Sequence, residues 1–346
     1  MRRLPIFFLL DVSESMIGTP LNSLEEGMNR IISSLQKDPS ALETVFISVI
    51  AFAGKAKVIS PLTELGIFYT PKLPIGGGTE FGLALDVLMN EIDNKIVPQT
   101  QTRQGDWKPI VFLITDGQPT NSVNSAVERW LKNYANKVTM VAITLGYNAN
   151  HTLLKQITPH VLVYEGSSDE DFRRFVDWIT ASVKTHSQNV EQNRVTTGGI
   201  QLAKIGDNLT EADSSLSTFD PNSIILTGRC QSNKRPYLIK YLRVVTEKIL
   251  LKYDKQERFK LDGSFPISEE YFNWSTENIF KEINIDALEG VPSCPHCGNL
   301  SAIASCANCE RIMCINGVGD ALCPWCGERN SFIYGNGDFT IQRGQG

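Results

Sequence analysis

Between residue 4 and about residue 186, five apolar runs recur: "PIFFLLD", "TVFISVIAFAG", "KPIVFLITDG", "KVTMVAITLG" and "HVLVYEG". Amphipathic stretches separate them, among them "LNSLEEGMNRIISSLQ", "EFGLALDVLMNEIDN" and "SVNSAVERWLKNYAN", and "DEDFRRFVDWITASVKTH" closes the series. A strand that is apolar at nearly every position must be covered on both faces. Alternation with helices supplies that cover when the strands run mostly parallel. The fold class expected for residues 1–187 is therefore α/β, a doubly wound, mostly parallel, Rossmann-like sheet.

The remaining text is different. Residues 187–222 turn polar ("SQNVEQNR", "TEADSSLSTFDPNS"), and 223–291 hold strand-like and helix-like pieces that the sequence does not assemble. The region 188–291 is read as a partly structured connection and 292–346 as a small cysteine-rich domain. A chain of 346 residues exceeds the usual size of one domain, which agrees with this division. Hydrophobic content of 42% is ample for a core, and a net charge of −5 argues against coating nucleic acid or an anionic membrane. The start "MRRLPIFFLL" imitates a signal peptide, but its apolar part is short and no small-residue cleavage site follows. It is read as the first strand of a cytoplasmic protein.

In open α/β sheets, ligands bind beyond the carboxyl ends of the strands. Three polar signatures fall there: "DVSES" after the first strand, "GGGTEFG" before a helix, and "LITDGQP" after a buried strand. Each alone is ordinary turn and cap chemistry. Together, in this order, they resemble the von Willebrand factor type A domain and its metal-ion-dependent adhesion site, a likeness covering roughly residues 1–187. Asp11, Ser13 and Ser15 match the DxSxS of the first loop, Thr79 the threonine of the second, and Asp116 the aspartate of the third. The resemblance implies a Mg²⁺ ion, or another divalent cation, with a position open to a partner's carboxylate. The residue types suit Mg²⁺, a small hard ion that takes six oxygens. Three hydroxyls ligate neutrally, while Asp11 and Asp116 balance the charge directly or through water.

Rival readings fail on particular residues. An EF-hand would need glycine and glutamate where Met16 and Asn22 stand. No GxSxG elbow, GxxxxGK[ST] loop or HExxH occurs, and His151, His160 and His186 read as surface or packing residues. Nothing in the sequence argues for catalysis, and the protein is expected not to be an enzyme.

Seven of the eight cysteines lie between Cys294 and Cys326, as the pairs Cys294/Cys297, Cys306/Cys309 and Cys323/Cys326 plus Cys314; Cys230 stands apart. Without a signal peptide, clustered CxxC pairs indicate metal thiolates. Zinc takes four such ligands in a closed structural site. Seven cysteines with His296 make eight ligands, enough for two Zn²⁺. One zinc on four cysteines is the alternative. His296 lies between Cys294 and Cys297 and would have to serve a different metal from theirs; Cys230 replaces it only if the chain folds back. The pairing of the knuckles stays open. From Pro292 to Gly346 three arginines face four acidic residues, and two Zn²⁺ on seven thiolates leave the module negative. Such a surface repels phosphates, so a structural or protein-docking role is expected and nucleic acid is not. So short a segment also needs metal to complete its core.

A von Willebrand A domain followed by this cysteine-rich end resembles the TerY-like proteins of bacterial tellurium-resistance and stress-response systems. That family typically has seven cysteines and one histidine here, and it is associated with a protein kinase and a 2C-type protein phosphatase. The resemblance implies a metal-dependent protein-interaction component of a signalling or defence complex, binding proteins that present an acidic ligand residue. The alternative is an accessory subunit that delivers substrate or metal to an AAA+ ATPase. A basic run, Arg229 to Lys260, carries ten Lys or Arg against three Asp or Glu. It reads as a solvated face of a packed element or as a docking surface for an acidic partner.

Overall fold

The computed structural model describes residues 2–120, 122–145, 149–164, 174, 176–184, 209–210, 223–244, 257–276, 281–332 and 340–343. The chain forms two compact units, Met1–Pro74 with Thr79–Thr218, and Ile75–Gly78 with Phe219–Gly346. Among the described residues no helix is long and apolar enough to cross a membrane.

In the first unit the elements run β1 (Leu4–Asp11), α1 (Thr19–Leu35), α2 (Pro39–Thr44), β2 (Val45–Phe52), β3 (Ala56–Glu64), α3 (Phe81–Lys95), β4 (Ile110–Thr115), α4 (Asn124–Asn133), β5 (Thr139–Leu145), α5 (His151–Ile157), β6 (His160–Tyr164) and β7 (Leu209–Thr210). Residues 174 and 176–184 are helical, so the described part of "DEDFRRFVDWITASVKTH" is helix as expected. The sheet order is β3-β2-β1-β4-β5-β6-β7. Strand β1 pairs in parallel with β2 (Leu4↔Val45) and with β4 (Ile6↔Ile110), and β5 and β6 continue the parallel set. The five apolar runs are these five strands. Every residue of β1 is buried, because α-helices cover both sides of the sheet centre.

One face of the sheet packs Phe7, Leu9, Ile50, Phe52, Val111 and Leu113 against Leu85 and Leu88 of α3 and Trp130 of α4. Trp130 is wholly buried and its indole N–H donates to Ile157 O at 3.0 Å, so the large ring leaves no orphaned donor. Local signals set the helix starts. Asp38 accepts from Ala41 N–H to open α2, and Asn150 accepts from Leu153 N–H to open α5. His151 is buried in α5 beside Thr144, a packing position.

Strand β3 has no counterpart among the expected strands. It is an antiparallel edge partner of β2, half-exposed along its length, with register shifts around Val49 and Ser60. With one face covered and Pro61 inside it, it lacks the continuous apolar signature that marks the others.

The second unit contains β8 (Ser223–Arg229), β9 (Pro236–Arg243), β10 (Phe259–Pro266), α6 (Glu270–Trp274), β11 (Lys281–Asn284), β12 (Leu288–Glu289), β13 (Ser301–Ser305), β14 (Ile312–Ile315), β15 (Gly319–Leu322), β16 (Arg329–Phe332) and β17 (Thr340–Arg343). Six of these form one sheet in the order β12-β10-β9-β8-β14-β13. The boundary expected at 292 therefore falls inside a continuous sheet. Strands β8 to β10, expected to be connecting chain, are its centre. Ile224, Leu226, Tyr237, Ile239, Tyr241 and Phe259 make a core that also takes in Cys230, Cys294 and Cys314.

The basic run accordingly becomes two strands and their surroundings. Tyr237, Ile239 and Tyr241 point into that core from β9, while Leu242, Arg243 and Lys260 are exposed and Lys240 is buried. Residues 245–256 of the run lie outside the described residues.

Candidate metal centres

The first centre sits where β1 and β4 end side by side. Asp11 is the last residue of β1, and Val12 N–H donates to Phe52 O at 2.8 Å, holding the chain in line as it leaves the sheet. Asp11 Oδ1 then accepts from Ser13 N–H at 2.9 Å, and a single 3-10 turn, Glu14–Met16, returns Ser15 towards Ser13. The two hydroxyls lie 3.0 Å apart, and Ser15 Oγ donates to Asp116 Oδ1 at 2.9 Å. Thr79 arrives from the three-glycine loop: Gly78 has φ 91°, a conformation open to glycine. Thr79 N–H donates to Thr120 Oγ1 at 3.1 Å and Thr120 N–H donates back to Thr79 O at 3.0 Å, fastening the second loop to the third.

Gly117 closes the cradle. A Cβ at that position would meet Thr79 Oγ1 at 3.6 Å, Asp11 Oδ2 at 3.7 Å and Ser15 Oγ at 3.9 Å. All five residues expected at the divalent site thus converge on one place. Asp11 and Ser13 are wholly buried, and burial raises the Asp11 carboxyl above the usual carboxylate range against the hydrogen bonds from Thr115 and Ser13. A buried carboxylate ringed by hydroxyl oxygens is stabilised by a cation. Adjacent oxygens around an octahedral Mg²⁺ sit about 3.0 Å apart, given Mg–O of about 2.1 Å. The Ser13–Ser15 and Ser15–Asp116 separations match such edges, so the donor set fits a hard divalent ion.

The second unit gathers the sulfurs in two groups. Cys230, Cys294, Cys297 and Cys314 form one; Cys306, Cys309, Cys323 and Cys326 form the other; within each, every Sγ lies within 4.8 Å of the rest. Cys297 and Cys314 are 3.6 Å apart, and the Cys306/Cys326 and Cys309/Cys323 pairs 3.7 Å. A tetrahedron of sulfurs at a Zn–S distance of about 2.3 Å has edges of about 3.8 Å. Disulfide sulfurs would be about 2.0 Å apart. Both groups therefore fit a four-thiolate metal.

A von Willebrand factor type A domain model matches residues 6–118, and a TerY-C metal binding domain model matches residues 220–346. The chain joins a von Willebrand factor type A domain to a TerY-C metal-binding domain. Similar solved structures include a von Willebrand factor type A protein from Catenulispora acidiphila, at 18% identity and a TM-score of 0.42, with 53% of this chain and 43% of that one covered. Proximal thread matrix protein 1 of the mussel byssus is 20% identical over 53% of this chain and 48% of its own, with a TM-score of 0.40. Another structure of that mussel protein, described as having a zinc-occupied MIDAS motif, is 21% identical over 54% of this chain and 46% of its own, TM-score 0.37. No curated protein sequence matches the chain.

The TerY-C sulfur groups correct the expected ligand set. His296 belongs to neither group: its Nε2 lies 2.8 Å from Pro236 O, making a backbone hydrogen bond. Cys230 takes the eighth place. Pairs Cys306/Cys309 and Cys323/Cys326 share one site, while Cys294/Cys297 meets two single cysteines.

A signal for Cys230 does exist in the TerY-C sequence. At Cys294, Cys306 and Cys323 the cysteine N–H donates to the carbonyl five residues on, and the residue four on donates to the cysteine carbonyl. The same two bonds occur at Cys230, with Arg235 O and Lys234 N–H. The residue four on has positive φ in all four cases: Lys234 (62°), Gly298 (75°), Glu310 (58°) and Gly327 (80°). So "CQSNKR" is a knuckle with Asn233 in place of the second cysteine, and Cys314 from β14 supplies the missing sulfur. Lys234 and Glu310 hide the pattern because they stand where CPxCG knuckles have glycine.

Proposed function

We propose that the protein is a non-catalytic, metal-dependent interaction component of a bacterial tellurium-resistance or stress-response signalling complex, cytoplasmic, and working with a protein kinase and a 2C-type protein phosphatase. The observation that carries this reading is the cradle of Asp11, Ser13, Ser15, Thr79 and Asp116 around Gly117. Five protein oxygen donors are one short of the six a Mg²⁺ ion takes. An acidic side chain of a partner completes the shell by placing its oxygen in the open position. The two four-cysteine groups act as structural zinc sites, because closed thiolate sets leave no position for substrate.

Affinity capture from a bacterial host carrying the chain, in Mg²⁺ and in EDTA, tests the reading. Kinase and phosphatase subunits retained in Mg²⁺ and lost in EDTA support it. A hexameric ATPase in their place supports the delivery-subunit alternative, and capture indifferent to EDTA and to Asp116→Ala defeats the metal-dependent reading.

A further inference from the structure

The two sulfur groups are unlike in how they are assembled. The four ligands of the second group lie within Cys306–Cys326, on the tips of two neighbouring hairpins, β13–β14 and β15–β16. Asn330 binds these tips together: its Nδ2 donates to Cys306 Sγ at 3.3 Å while its Oδ1 accepts from Ala307 N–H at 2.9 Å. The first group draws Cys230 from the β8–β9 tip, Cys294 and Cys297 from a separate knuckle, and Cys314 from the middle of β14. Its longest gap, Cys230 to Cys294, spans 64 positions, against 14 from Cys309 to Cys323 in the second group. With loop closure scaling as the three-halves power of length, the longer gap closes about tenfold less readily.

One hairpin serves both groups. The β13–β14 tip carries Cys306 and Cys309 of the second group, and five residues past Cys309 the return strand delivers Cys314 to the first. Strand β14 reaches Cys230 through a short parallel pairing with β8, Ile312↔Gly228 and Met313↔Arg229. A second brace comes from Trp325, inside the last knuckle. Its indole N–H donates to Ile312 O at 2.8 Å, and the guanidinium groups of Arg229 and Arg311 lie 4.5 and 4.8 Å from its ring centre. Arg229 immediately precedes Cys230. The metal that seats Cys323 and Cys326 thus also seats the ring against which the Cys230 hairpin rests.

We propose that the two metals load in an obligatory order: the site of Cys306, Cys309, Cys323 and Cys326 fills first and holds β14 in register, and only then does the site of Cys230, Cys294, Cys297 and Cys314 form. The second-filled metal is the exchangeable one. This rests on the reading of both groups as zinc sites.

The test uses the full chain loaded with zinc. During stepwise removal by EDTA, cysteines are alkylated and mapped by mass spectrometry while free zinc is measured. Labelling of Cys230, Cys294, Cys297 and Cys314 during release of the first equivalent, with the other four protected, is the expected result. Variants give the converse: Cys297→Ser keeps one zinc per chain, whereas Cys309→Ser keeps none at a chelator concentration that leaves one on Cys297→Ser. Labelling of all eight cysteines together, labelling of the second group first, or a zinc retained by Cys309→Ser overturns the order. Should Cys309→Ser fail to fold, the wild-type release experiment decides alone. A chain that takes up no zinc during loading overturns the zinc reading itself.

Discussion

Thr115 Oγ1 donates a hydrogen bond to Asp11 Oδ2 at 2.5 Å, across the seam where β1 and β4 end as parallel neighbours. The same hydroxyl accepts from Gly117 N–H at 3.2 Å. One buried threonine therefore aims a carboxylate and fixes the backbone of the residue that faces the metal cradle. Thr115→Val keeps the shape and removes both bonds. Partners that orient a metal ligand are worth about 10- to 100-fold in affinity, so Mg²⁺ titration by calorimetry should show a loss in that range with the melting temperature little changed.

Replacing Asp11 or Asp116 by alanine should cost more than the threonine change, roughly a hundredfold or beyond, since a ligand and a charge go together. Circular dichroism should remain that of the folded chain for Asp116→Ala, whose side chain is partly exposed. Unaltered Mg²⁺ binding by both variants would remove the site from consideration.

Gly117→Ala addresses the cradle from the other side. Its methyl would stand in ordinary contact distance of three ligand oxygens, so the fold tolerates it. It nevertheless occupies space beside the ion that a water or a partner's oxygen would use. Partner capture in Mg²⁺ should fall by about an order of magnitude, and capture equal to wild type would show that the ion is approached from elsewhere.

Cys230→Ser and His296→Ala separate the two candidates for the eighth ligand. Elemental analysis should find one zinc fewer per chain in Cys230→Ser and no change in His296→Ala, because the imidazole is engaged with Pro236 O. The reverse pattern would restore the histidine.

Tyr134 offers a pH-dependent check on the first unit. Its hydroxyl donates to Asp93 Oδ2 at 2.5 Å, and that hydrogen bond above all raises its pKa to about 12. The folded pKa is raised above the unfolded value near 10, so the contribution is complete below about pH 10 and is lost as pH rises towards 12. Burial raises Tyr241 and Tyr237 as well, so ultraviolet titration should show several late tyrosinates, of which one moves earlier in Asp93→Asn. A late phase wholly unmoved by that change would remove the Tyr134–Asp93 bond as the cause.

Local patterns in the sequence were enough for the parallel sheet and for the five oxygen donors of the first centre. Each apolar run is buried on both faces, so its signature lies in its own seven or so residues, and DxSxS is a single turn whose contacts span two positions. Thr79 and Asp116 are remote from it in sequence, yet the rule that loops gather at the carboxyl edge of such a sheet brings them together without further information. Tertiary structure alone decided the rest. Edge strand β3 has one covered face and hence only a diluted pattern. The sheet of the second unit joins β8–β10 to β13–β14 across residue 292 through the two residue pairs of β8 and β14, too few to leave any periodic trace. Cys230 joins the first sulfur group because the chain folds back over 64 positions to Cys294. Spacing rules see only ligands close in sequence, whereas a metal needs them close in space.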